Sequence, residues 1–171
     1  MSLKPAVSNS DHAQGNLKAD LIIVEYGDYQ CPYCGEAYPV LKELMSQFGN
    51  QIKFVFRNFP LNEIHQYARP AAIAAEAANL QGKFWEMHDA IYENQEYLNE
   101  NFLMKLAEKL KLNIPQFEKD LESLELADKV DSDFESGVIS GVNGTPSFFV
   151  NGKKFDGGAE DLFQLLTENA G

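Results

Sequence analysis

The feature that most constrains this fold is a cysteine pair set where a strand gives way to a helix. Cys31-Pro32-Tyr33-Cys34 follows the apolar run Leu21-Ile22-Ile23-Val24, which reads as a buried strand ending near Tyr26. From Pro32 to about Phe48, the residues Tyr38, Leu41, Leu44, Met45 and Phe48 fall on one helical face. Pro32 suits the first helical position, where a missing N–H costs nothing. Pro39 lies inside this helix and predicts a kink in the turn before it. Gly49-Asn50 stops the helix, and Ile52-Lys53-Phe54-Val55-Phe56-Arg57 alternates with period two as a second strand. Strand, helix and strand in that order predict a parallel βαβ unit.

These are the only two cysteines in 171 residues. A thiol at a helix start sits beside unbonded N–H groups and the positive end of the helix dipole, so its thiolate is favoured. A second thiol one turn along is placed to attack a mixed disulfide formed on the first. The spacing has three readings: a redox centre, half of a zinc site, or an incidental pair. Zinc takes about four ligands, and only His12, His65 and His88 are on hand to supplement the cysteines. None has metal-ligand spacing, so no metal is expected. The βαβ context favours the redox reading.

On that reading Cys31 is the nucleophile, solvent-accessible at the helix N-terminus, and Cys34 is the shielded resolving thiol. The dipole supplies about 0.3–2 kcal/mol, at most roughly 1.5 pKa units. Asp28 and Glu36 oppose it if they face the sulfur. The Cys31 pKa is expected below the free value of about 8.5.

Length fits one domain with a sizeable core. The net charge of −12 argues against nucleic acid or an anionic membrane as partner, since either would repel it. Nothing approaches an apolar run of about 18 residues, so no membrane insertion is expected. Residues 1–19 lack a leader pattern, which leans cytoplasmic. If the native N-terminus was trimmed ahead of Met1-Ser2-Leu3, an extracytoplasmic location follows instead.

Residues 1–18 are polar and aperiodic and read as an N-terminal arm or surface-hugging lead-in. Residues 19–171 read as one α/β domain, with an all-helical insertion at about 62–138. Within that insertion residues 64–80 are alanine-rich. Phe84, Trp85, His88 and Ile91 make one stripe, Phe102, Leu103, Leu106 and Leu110 a second, and Phe117 and Leu121 a short third. Leu126, Val130, Phe134 and Val138 step by four. Strand character returns at Ser147–Val150. Asn151-Gly152 is a strong two-residue hairpin signal leading into Lys153–Phe155. An amphipathic helix around Leu162, Phe163, Leu165 and Leu166 closes the chain.

Three motifs together resemble the DsbA-like branch of the thioredoxin superfamily. They are Val24-Glu25-Tyr26-Gly27-Asp28-Tyr29-Gln30-Cys31-Pro32-Tyr33-Cys34, Phe84-Trp85-Glu86-Met87-His88, and Gly141-Val142-Asn143-Gly144-Thr145-Pro146-Ser147-Phe148-Phe149-Val150-Asn151-Gly152. Asp11-His12 with Gly15 is similar to the lead-in of short bacterial members and of domains attached to sodium–proton antiporters. The resemblance implies a thioredoxin-like fold, βαβ…ββα, carrying an inserted helical subdomain. It implies a cis Thr145–Pro146 peptide facing the cysteines, with the Thr145 backbone pairing to an extended substrate. It makes Glu25 the buried acid beneath the active site, a proton relay for Cys34, although a solvated strand-end carboxylate is the alternative.

The dipeptide Pro32-Tyr33 departs from the Pro-His of the strongly oxidising members, which removes an imidazolium near the thiolate. It is similar to that of glutaredoxins, whose potentials lie at about −200 to −230 mV, against roughly −120 mV for DsbA. An intermediate potential is expected.

Protein or peptide thiols and disulfides are the expected partners, with glutathione and a redox partner of unknown identity beside them. No cofactor is required for exchange. A glutathione-linked, glutaredoxin-like reductase is the enzyme alternative, and a redox-switched binding module of a larger membrane-associated system the non-enzyme one. Elsewhere, His88 reads as a packed or capping histidine, His65 as surface, and the acidic tract Glu118–Glu135 as a solvated helical face. Tyr26, Tyr29 and Tyr33 either line a peptide groove or, for the first two, pack the strand end.

Overall fold

The structure is a computed structural model that describes residues 1–169. Its chain divides into two compact units: Met1–Gly27, Pro32–Arg57 and the chain from Glu135 onward form one, and Asp28–Cys31 with Asn58–Phe134 form the other.

The first unit is built on a five-stranded sheet in the order β1-β3-β2-β4-β5. Its strands are β1 (His12–Gly15), β2 (Leu21–Gly27), β3 (Ile52–Asn58), β4 (Ser147–Val150) and β5 (Lys153–Phe155). β1 runs antiparallel to β3, with His12 opposite Phe56. β2 runs antiparallel to β4, with Glu25 opposite Phe148. Between β4 and β5, Asn151 and Gly152 both have positive φ, 48° and 83°, as a two-residue hairpin turn of matching twist requires.

Helix α1 (Pro32–Phe48) runs through Pro39 and buries Cys34, Ala37, Leu41, Leu44 and Phe48, a three–four spacing that keeps one face inward. It packs on α7 (Ala159–Asn169), where the Phe48 and Phe163 rings meet edge-on at 6.1 Å.

Two expectations change in this unit. The lead-in is not simply an aperiodic arm, because residues 12–15 form an edge strand. Ser2 bridges Lys153, and the Leu3 N–H donates to the Gly152 carbonyl at 2.8 Å. Strand β3, read as alternating, is buried at Phe54, Val55, Phe56 and Arg57 alike, as in a strand covered on both faces.

The second unit holds α2 (Ala68–Asn79), α3 (Phe84–Glu93), a 3-10 turn (Gln95–Tyr97), α4 (Glu100–Lys109), α5 (Ile114–Leu121) and the first part of α6 (Leu124–Ile139). The alanine-rich α2 is buried at Ala71, Ala72, Ala74, Ala75, Ala77 and Ala78, and touches α3, α4 and α5. Small side chains let three helices approach one. Asn99 and Asn113 cap α4 and α5 by accepting from the Phe102 and Gln116 N–H groups. Among the described residues no helix is long and apolar enough to cross a membrane.

Candidate active site

The cysteine motif falls at the start of α1. Cys31 immediately precedes the helix and Cys34 is its third residue. The first helical turn contains no acidic residue, and Glu36 is exposed, so the carboxylate nearest the motif inside α1 is turned to solvent. Both cysteines are buried, Cys31 at 4% exposure and Cys34 at 0%. The expected contrast between an open and a shielded thiol is therefore a matter of a few per cent. Tyr33, at 69% exposed, is the outward member of the motif, and Pro32 is exposed beside it.

Residues 28–31 group with the helical unit, and their hydrogen bonds explain why. One oxygen of the Asp28 carboxylate accepts from the Gln30 N–H at 2.7 Å. The other accepts from the Leu61 N–H at 3.0 Å and lies 2.7 Å from His65 Nδ1. The Gln30 side-chain oxygen accepts from the Tyr67 N–H at 2.7 Å. Gln95 Nε2 donates to the carbonyls of Tyr29 at 2.9 Å and Cys31 at 2.7 Å. His65 is thus no plain surface residue; it is tied to the segment that carries Cys31.

The Tyr29 hydroxyl lies 2.9 Å from His88 Nδ1, within a ring cluster of Phe84, Trp85, His88 and Tyr92. His88 is a packed histidine, as expected. Tyr26 and Tyr29 are buried, which leaves Tyr33 as the tyrosine of the three with an outward face.

In the sheet unit, Glu25 sits on β2 and is only 2% exposed, so the solvated-carboxylate alternative is removed. Thr145 and Pro146 enter β4 half-buried, and the peptide bond between them is cis. The Ser147 hydroxyl donates to the Gly144 carbonyl at 2.7 Å and closes this loop.

On β3, beside β2 in the sheet, lies a buried cation that sequence reasoning missed. Arg57 Nε and Nη2 donate to the two oxygens of Asp11 at 2.8 and 3.0 Å. Its Nη1 donates to the Tyr26 hydroxyl at 2.9 Å, which lies 2.8 Å from Ser136 Oγ. Its Nη2 also reaches the Pro5 carbonyl at 3.0 Å. Burial opposes the guanidinium charge, but the bonds to Asp11 and Tyr26 outweigh it and raise the pKa. A charge ending a strand of buried neighbours was the available signal.

A second missed cluster lies in the helical unit. Asn58 Nδ2 donates to both Glu76 Oε2 and Asp133 Oδ2, each at 3.0 Å, and the Asn58 N–H donates to Asp133 as well. The tract Glu118–Glu135 is therefore not wholly solvated. Burial pushes the Asp133 carboxyl above its ordinary value, partly offset by Lys129. Among the described residues no group of three or more histidine, cysteine or acidic side chains is arranged to hold a metal ion.

A Cys-x-x-Cys motif heading the first helix after a central strand of a five-stranded sheet accompanies a thioredoxin fold, here carrying a DsbA-type helical insertion. The chain belongs to the thioredoxin family Thioredoxin_4, whose profile matches residues 8–167.

Its structural neighbours include the thiol-disulfide exchange protein alpha-DsbA2 of Wolbachia pipientis, with a TM-score of 0.82 at 18% identity over 94% of this chain and 88% of that one. A thioredoxin-like oxidoreductase from Silicibacter pomeroyi superposes with a TM-score of 0.78 at 26% identity, over 95% of this chain and 94% of that one. Oxidised BdbD from Bacillus subtilis superposes with a TM-score of 0.82 at 24% identity, over 98% and 95%. Among curated relatives, the Na(+)/H(+) antiporter NhaA 1 of Salinispora arenicola is 43% identical over 90% of this chain and 23% of its own length. The protein of the same name in Mycolicibacterium vanbaalenii is 38% identical over 91% and 25%. The chain thus spans about a quarter of the curated relatives it matches.

Proposed function

We propose that this chain is a protein thiol-disulfide oxidoreductase in which Cys31 and Cys34 are the exchanging pair. The observation that carries it is the Cys-Pro-Tyr-Cys motif at the head of α1, with no acidic residue in the first turn, on a thioredoxin fold. Unbonded N–H groups and the helix dipole favour a thiolate there.

In the reducing direction the Cys31 thiolate attacks one sulfur of a substrate disulfide, and the other sulfur leaves as a thiolate. Cys34, deprotonated, then attacks Cys31 Sγ, which expels the second substrate thiolate and leaves a Cys31–Cys34 disulfide. Two electrons pass to the substrate. The oxidising direction reverses each step. Glu25, buried on β2, accepts the Cys34 proton during resolution. Pro32 and Tyr33 set the electronics of the pair, and the Thr145 backbone with Pro146 holds an extended peptide. Protein thiols are the substrate class, and no cofactor enters the exchange.

The test is turnover. Insulin reduction and refolding of a reduced disulfide substrate should both proceed with the wild-type chain and stop with Cys31→Ser. Cys34→Ser should accumulate a mixed disulfide on Cys31. An inactive wild type refutes the proposal, and turnover only with glutathione as the thiol favours a glutaredoxin-like reductase. A second reading has one supporting observation, the match to a quarter of longer antiporter proteins. On it, the disulfide switches contacts within a larger protein, and dithiol–disulfide conversion without turnover would favour it.

A further inference from the structure

We propose that Gln95 is a positioning residue for the nucleophile, fixing the backbone of Cys31 so that its sulfur is held on one line of attack. The inference rests on the assignment of Cys31 as the attacking thiol. Where Cβ and Sγ of a residue lie follows from the orientation of the two peptide planes that flank it. In this chain the two planes are held by different bonds.

On the N-terminal side, the Cys31 N–H donates to the Asp28 carbonyl at 3.1 Å, which holds the Gln30–Cys31 plane. On the C-terminal side, the next residue is Pro32, which has no N–H. The Cys31–Pro32 plane therefore offers one hydrogen-bonding atom, the Cys31 carbonyl oxygen, and Gln95 Nε2 donates to it at 2.7 Å.

The second hydrogen of the same amide goes to the Tyr29 carbonyl at 2.9 Å. The peptide plane to which that carbonyl belongs is held at its other end by the Gln30 N–H to Asp28 bond at 2.7 Å. One side-chain amide thus spends both of its donors on the backbone of the nucleophile's segment. Gln95 itself sits on the short 3-10 turn Gln95–Tyr97 that follows α3, a turn with no other evident need for a half-buried glutamine. A packing role would be filled by a hydrocarbon of the same size, whereas two donations at these lengths need an amide.

Disulfide exchange requires three sulfurs nearly in line, so it is sensitive to sub-ångström placement, while alkylation by a small reagent is not. Gln95→Ala and the isosteric non-donor Gln95→Glu, each with Cys34→Ser to isolate the first step, separate the two. With pH set on the thiolate plateau, attack of Cys31 on a cystine-containing peptide should fall about tenfold in both variants, while iodoacetamide alkylation stays within twofold. The carbonyl 13C resonances of Tyr29 and Cys31 should both move upfield as their donor is lost. Exchange within twofold of the parent, or exchange and alkylation falling together, overturns the proposal. A parent chain inert toward every disulfide overturns the exchange assignment along with it, and so is told apart from a failure confined to Gln95.

Discussion

Replacing Arg57 with methionine keeps most of the side-chain volume and removes the cation. In the structure this removes the counter-charge of the Asp11 carboxylate, whose side chain is 7% exposed, and two of its donors at 2.8 and 3.0 Å, while the Ser8 N–H still donates to it at 3.0 Å. The Tyr26 hydroxyl and the Pro5 carbonyl each lose a donor as well. Breaking a buried pair from one side costs about 3–5 kcal/mol, because the remaining charge stays desolvated. A domain of this size has about 5–15 kcal/mol in all, so the loss is a large fraction of stability. In urea the midpoint should fall by about 1–2 M. The double variant Arg57→Met with Asp11→Asn should recover about 1–3 kcal/mol of the loss, the coupling expected for residues in direct contact. Residues 1–11 should also become sensitive to limited proteolysis, since Arg57 ties their carbonyls and Asp11 to β3. A loss below about 1 kcal/mol, or strict additivity in the double variant, would refute the claim that this cation anchors the N-terminal segment.

Three further outcomes are expected. Burial raises the Asp133 pKa above the ordinary 3.8, so the folded chain holds this proton more tightly than the unfolded one. Its contribution is then full below the ordinary value and is lost as pH rises through the raised one. Asp133→Asn should gain stability relative to wild type as pH is taken from about 3 to 7, and a flat or reversed difference in urea melts contradicts this. Gly152 has φ 83° with nothing within 4 Å of an added Cβ, so Gly152→Ala should cost about 1–2 kcal/mol through backbone strain alone; no loss in thermal melts would mean the turn relaxes. Glu25→Gln should slow the attack of Cys34 on the mixed disulfide and flatten the pH dependence of that step, whereas an unchanged rate across pH removes Glu25 from the mechanism.

Much of the fold was legible because periodicity survives folding. Helix α1 matches the predicted Pro32–Phe48, and β4 and β5 fall where the Asn151-Gly152 turn placed them. The helices of the insertion follow their apolar stripes. What the sequence concealed lies in pairings over long separations. Gln95 and Cys31, Arg57 and Asp11, and Asn58 and Asp133 are each joined by polar atoms, and polar side chains carry no period that marks them as buried. Residues 12–15 were missed for another reason: a short edge strand shows no alternation of its own and is recognised only by its partner β3. Asp133 stands in a run of charges that alternate around α6, and only the neighbouring Asn58 shows which one turns inward.

The central claim is that Cys31 and Cys34 form a reversible dithiol–disulfide couple tuned for exchange with protein substrates. Equilibration with glutathione buffers of set ratio, quenched by alkylation and read by mass, gives its potential directly. A single two-electron transition between about −120 and −230 mV is predicted, milder than DsbA because Tyr33 replaces a histidine. Failure to form the Cys31–Cys34 disulfide at any glutathione ratio would contradict the account, and a value as high as that of DsbA would contradict its reading of Tyr33.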